Sequence, residues 1–135
     1  MNIKRYALAL LLGCSLASAA NAADLMKVYK HLHANPELSL METETASYMA
    51  QHFKTLGYDV TENFGGTGVV AVFKNGPGKT IMIRADMDGL PVEEQTGLAF
   101  ASTVRRMDAS GKDNPAMHAC GHDIHMTSLL GTAEE

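Results

Sequence analysis

The run Thr80-Ile81-Met82-Ile83, followed at once by Arg84-Ala85-Asp86-Met87-Asp88, constrains this chain more than any other stretch. A strand that is apolar at successive positions, rather than alternate ones, needs cover on both of its faces. That requirement calls for helices packed on a sheet, with a strand over Lys79 to Ala85 at its centre. Such a strand delivers Asp86 and Asp88 to its carboxyl end, where α/β sheets hold their chemistry. The two carboxylates would share one face if the strand continued that far. They could then coordinate a metal or orient a histidine that does, or they could simply be solvated where strand gives way to loop.

The neighbouring segments are read from period and punctuation. Tyr58 to Asn63 and Thr67 to Lys74 are rich in β-branched residues. Gly65-Gly66 and Asn75-Gly76-Pro77-Gly78 bound them as turns, which predicts an antiparallel meander with the Lys79 run as its third member. Leu25, Val28, Tyr29 and Leu32 recur at helical spacing over Asp24 to His33, and Asn35-Pro36 ends that helix. Ser39-Leu40-Met41-Glu42 has the form of a capping box opening a second helix, Leu40 to Leu56. Its face is Ala46, Met49, Ala50, Phe53 and Leu56, and Gly57 stands as the C-terminal cap. Arg105 to Asn114 is polar and glycine-containing and reads as an exposed loop. A last helix begins at His122 or Asp123, with Ile124, Ser128, Leu129 and Gly131 suggesting close packing. The fold class predicted is α/β: helices on a mixed sheet that contains a β-meander, in one domain.

The densest chemistry lies in Met117-His118-Ala119-Cys120-Gly121-His122-Asp123-Ile124-His125, which gathers a thiol, three of the chain's six histidines and a carboxylate. Thiolate and neutral imidazole are ligands for zinc and related divalent metals. Cys120 and His122 are separated only by Gly121, which has no Cβ to obstruct a bend that aims both at one ion. The plainer reading is a loop whose histidines are solvated and whose cysteine packs as a small hydrophobe. His31, His33 and His52 are further imidazoles; on amphipathic helices such residues are more often surface or rim, and His33 is the one with a claim to line a site.

The first residues read as a targeting segment. Met1 to Arg5 is basic, Tyr6 to Leu16 is apolar, and Ala20-Asn21-Ala22 has the small-x-small form cut by signal peptidase. Residues 1–22 are thus expected to be a signal peptide, with a mature start at Ala23 and a periplasmic or secreted product. A rival exists in Leu11-Leu12-Gly13-Cys14, which has the look of a lipobox that would leave a lipoprotein anchored through Cys14. Cleavage after Ala22 removes Cys14, and a lone Cys120 in an oxidising compartment is better explained if a metal occupies it. It also removes Lys4 and Arg5, which takes the formal charge from −4 to −6. A chain this acidic, with no basic stripe, offers nothing to nucleic acid or to an anionic membrane once the signal is gone.

Three segments together, His33-Ala34-Asn35-Pro36-Glu37-Leu38-Ser39, Arg84 to Val92 and Met117 to Asp123, resemble successive signatures of the M20 metallopeptidase family in its amidohydrolase branch. That branch includes hippurate, N-acyl-amino-acid and auxin-conjugate hydrolases. The resemblance implies the amino-terminal part of an M20-type catalytic domain over residues 23–135. It implies a two-metal centre of divalent ions, zinc or manganese, with Cys120 and His122 as ligands and Asp86 and Asp88 as supporting residues. It further implies hydrolysis of small N-acyl amino acids, and a homodimer only where the family's dimerisation domain is present. The family's catalytic glutamate and other ligands fall beyond Glu135, so no catalytic residue is assigned and the chain is read as an inactive fragment. Glu134-Glu135 does not replace that pair, because thirteen helical residues beyond His122 place Glu135 ~20 Å away. Two other readings compete: a small exported metal-binding module and a lipid-anchored protein without chemistry.

Overall fold

The computed structural model describes residues 24–135; the signal segment and Cys14 lie outside the described residues. In chain order the elements are α1 (24–34), α2 (Thr43–Thr55), β1 (Asp59–Phe64), β2 (Gly68–Val72), β3 (Arg105–Met107), β4 (Asp113–Pro115) and α3 (His122–Glu134). The predicted class holds: three helices pack together and against antiparallel strands.

The core is where the helical periods put it. Val28 and Leu32 of α1, Met49 and Phe53 of α2, and Met126 and Leu130 of α3 form one buried cluster. Each such side chain contributes about 1.5–3 kcal/mol by leaving water. On α3 the buried residues are Asp123, Met126 and Leu130; of the positions expected to pack, Leu129 lies against the core and Gly131 against Leu25, whereas Ile124 and Ser128 are exposed. The reason is angular: Asp123 is drawn inward by a polar partner, and a residue one position later points about 100° away.

Both ends of α2 are set by side chains and glycine. At the amino end the expected Ser39–Glu42 box does not form: the helix starts at Thr43, and Glu42 makes no side-chain cap. The free amides are taken instead by buried Glu37, whose carboxylate accepts from Thr45 N at 2.7 Å and Glu44 N at 3.2 Å. A carboxylate there also complements the positive end of the helix dipole. At the carboxyl end Gly57 has φ +86°, with Gly57 N bonded to Lys54 O and Tyr58 N to Phe53 O. That is a Schellman closure, and the Phe53 and Tyr58 rings meet edge to face at 5.5 Å, the apolar contact that accompanies it.

β1 and β2 pair antiparallel as expected, with Asp59 opposite Val72 and Thr61 opposite Val70 before an irregularity near Asn63. The third member of the meander is absent: residues 79–88 run without helix or strand and pair with no other strand among the described residues. Ile81, Met82 and Ile83 are 84, 87 and 57 % exposed. A strand needs a neighbour to satisfy its backbone as well as cover for its side chains, and the described residues supply neither on this side. The polar loop over 105–114 is also more ordered than expected. It is the hairpin β3–β4, whose turn is tied by Asp108 accepting from Ser110, Lys112 and Asn114.

Gly89 joins three segments at once. Its N–H donates to Glu37 O, and its neighbour Leu90 exchanges both backbone bonds with Met117. A Cβ added at Gly89 would lie 2.8 Å from Pro36 Cβ and 3.2 Å from Met117 O. Gly89→Ala is therefore expected to destabilise the domain by about 1–3 kcal/mol through overpacking. A urea melt of that variant with an unchanged midpoint would show that the junction yields freely.

Candidate metal centre

The start of α3 is shaped by Gly121, which sits at the N-cap in the left-handed region with φ +79°. A side chain there would be strained, so glycine lets the chain turn sharply between Cys120 and His122. Cys120 is exposed and unpaired. The His122 ring is fixed from behind: its Nδ1 lies 2.8 Å from Asp88 O and 2.9 Å from the Asp88 carboxylate. Neither oxygen carries a hydrogen, so Nδ1–H donates, and the lone pair of the neutral ring resides on Nε2. A histidine held this way by a carbonyl and a carboxylate is oriented as a metal ligand is.

The two aspartates part company. Asp88 reaches His122, while Asp86 turns to Arg84, 3.2 Å away, on the exposed rim. Both line a cleft of about 470 Å³ between α2 and α3, floored by Met49, Phe53, Met126 and Leu129. His118, only 4 % exposed, has both ring nitrogens without hydrogen-bond partners. Burial pushes it below the usual histidine range, and the neighbouring His122 and His33 act in the same direction against the attraction of Asp123. Its charged form is thus disfavoured by burial. An exposed thiol, an unclaimed Nε2 and a buried imidazole without partners are donor types that suit a borderline-soft divalent ion. Among the described residues, no three His, Cys, Asp or Glu side chains converge to hold a metal ion.

Behind this turn lies a cluster the sequence did not reveal as a unit. His33, at the end of α1, places Nδ1 2.7 Å from the Asp123 carboxylate and Nε2 2.9 Å from that of Glu94. Side-chain exposure is 7 % for His33, 3 % for Asp123 and nil for Glu94. Burial opposes a charge on His33, but hydrogen bonds to Asp123 and Glu94 outweigh it and raise its pKa above the ordinary 6.5. Burial likewise opposes the Glu94 charge, and bonds from Thr96, His33 and Ser102 N overcome it and lower its pKa. The ring is walled by Tyr29 and Phe100, with centroids 5.5 and 5.3 Å away. His31 and His52 instead flank Tyr48 on the outer face of the helices. Glu94 stands in a stretch with no period, so nothing in its sequence surroundings pointed to His33, 61 residues earlier.

Residues 82–134 match the model of peptidase family M20/M25/M40. The hippurate hydrolase of Campylobacter jejuni is 47 % identical over 112 residues, covering 82 % of this chain and 27 % of that protein. The N-acetyldiaminopimelate deacetylase of Oenococcus oeni is 38 % identical over 113 residues, 80 % of this chain and 27 % of that one. Among solved structures, the Bacillus subtilis YXEP protein, described as a dinuclear metal binding peptidase from the M20 family, superposes with a TM-score of 0.73 at 37 % identity. It is covered to 30 %, against 86 % of this chain. The chain spans about a quarter of the length of the curated relatives it matches. On these grounds the chain is similar to M20 family peptidases and matches about the first quarter to third of their length.

Proposed function

We propose that this chain carries the first part of the metal centre of an amidohydrolase acting on small N-acyl amino acids, and that the remainder of the centre lies outside the chain. The observation that supports this reading is the His122 ring, held through Nδ1 by Asp88 with Nε2 left for coordination. Cys120, as its thiolate, and His122 would hold a divalent ion, zinc or manganese, with Asp88 fixing the tautomer and angle of the histidine. When bound, such an ion supplies Lewis acidity toward an amide carbonyl. Asp86, at the rim beside Arg84, is left to support the cleft wall.

Cobalt(II) is a spectroscopic stand-in for this test. The reduced 135-residue chain is expected to bind it weakly and to show a thiolate-to-cobalt absorption band that Cys120→Ser abolishes, with binding falling as pH drops because the thiol must ionise. His52→Ala should leave the band unchanged. Hippurate and acetylated amino acids should not be turned over by the chain alone. A chain that binds no cobalt, or one that hydrolyses hippurate in a chelator-sensitive way, would sink the reading. The proposal extends to export: the amino terminus of the secreted product should be Ala23, whereas a lipid-modified Cys14 found by mass spectrometry would replace the soluble product with an anchored one.

A further inference from the structure

We propose that His33 is a positioning residue for the metal-binding turn: through Asp123 and Glu94 it ties together the two segments whose contact orients His122. The inference rests on the metal reading above. The orienting contact is made between His122, at the first position of α3, and Asp88, in the chain that leads away from the exposed run. Each partner has a buried carboxylate close by in sequence. Asp123 follows His122 directly, and Glu94 comes six residues after Asp88, beyond the turn at Gly89.

Both carboxylates close on the same imidazole, Asp123 on Nδ1 and Glu94 on Nε2. A ring that donates from both nitrogens to groups on two segments fixes the distance and angle between them, since its two N–H directions are rigid. Glu94 is itself over-determined, because its carboxylate also accepts from Ser102 N and from the Thr96 hydroxyl. Asp123 is 2 % exposed and cannot find a substitute in water. The backbone pairing of Leu90 with Met117 holds the same two segments at their middle. It leaves the segment ends, where His122 and Glu94 lie, to be set by side chains. Ser102 ties Glu94 to Ala116 nearer the middle, and His33 is the side chain that bonds both Glu94 and Asp123, next to His122.

The test measures cobalt(II) binding to the reduced full chain by the thiolate charge-transfer band, at temperatures where circular dichroism shows each variant folded. His33→Gln can still donate an amide to one carboxylate but not to both. It is expected to weaken cobalt binding roughly 10–100-fold and to change the band's intensity at saturation, the effect of losing an outer partner of a ligand. Glu94→Gln keeps the His33–Asp123 bond and removes the second anchor's charge, so a smaller loss in the same direction is expected. If His33→Gln does not fold, Glu94→Gln alone decides. Wild-type affinity and band shape in whichever variant is folded would overturn the inference while leaving the metal reading intact. A wild-type chain that binds no cobalt would overturn both, and a variant that loses thermal stability but binds as wild type would assign His33 to stability only.

Discussion

His33→Ala is expected to unfold the domain or bring it to the edge of unfolding. The substitution leaves the Asp123 and Glu94 carboxylates buried without the cation between them. Removing one partner of a buried ion pair costs about 3–5 kcal/mol, against a total stability of about 5–15 kcal/mol for a domain. Thermal melts followed by circular dichroism would measure it, and a variant with a native-like midpoint would mean that the carboxylates find other donors. The same cluster sets a pH dependence whose sign follows from the shifts. His33 binds its proton more tightly folded than unfolded, so its contribution is complete below the unfolded value near 6.5 and is lost as pH rises through the higher folded value. Glu94, with a lowered pKa, contributes above its ordinary 4.5 and loses that contribution as pH falls through the folded value. Stability from this cluster should therefore peak between about pH 5 and 6.5 and decline on the alkaline side. That alkaline decline should disappear in His33→Gln; if it persists, another group is titrating.

The second large effect concerns the bare run. Ile81, Met82 and Ile83 stand exposed on a segment that pairs with no strand among the described residues, and Val70, Val72 and Phe73 are exposed as well. An apolar, uncharged stretch of β-branched character with free amides and carbonyls is a template for edge-to-edge pairing. At micromolar concentration the chain is expected to form oligomers or aggregates, and Ile81→Lys with Ile83→Lys should shift most of it to monomer without lowering the melting temperature. Sedimentation velocity distinguishes the outcomes. A wild-type chain that sediments as a monomer would show that the run is protected, and a charged variant that still aggregates would place the sticky surface elsewhere.

The two runs that pair as β1 and β2 show what local pattern could decide. Their turns are written in glycine, their β-branched residues are local, and their partner is the next segment along. The three helices follow for the same reason, because a 3.6-residue period is carried by each segment alone. Gly57 was legible as a cap and Gly121 as a bend, since a left-handed residue without strain is glycine in most cases. That Cys120 and His122 are of the residue types that bind metals was legible as composition.

What the sequence could not decide was every contact between segments far apart in the chain. The cap of α2 came from Glu37 rather than Ser39, because a carboxylate reaching over from the preceding turn met the free amides first. The run at Thr80 to Ile83 announced by its apolarity that it needs cover on both faces, yet pattern alone cannot say which segments provide it, and the described residues leave it open. Of the two aspartates after it, spacing made them equal; the fold gave Asp88 to His122 and Asp86 to Arg84. The buried His33, Asp123 and Glu94 cluster exists only in three dimensions. A histidine's charge depends on which carboxylates surround it in a low-dielectric interior, and those are 61 and 90 residues away along the chain.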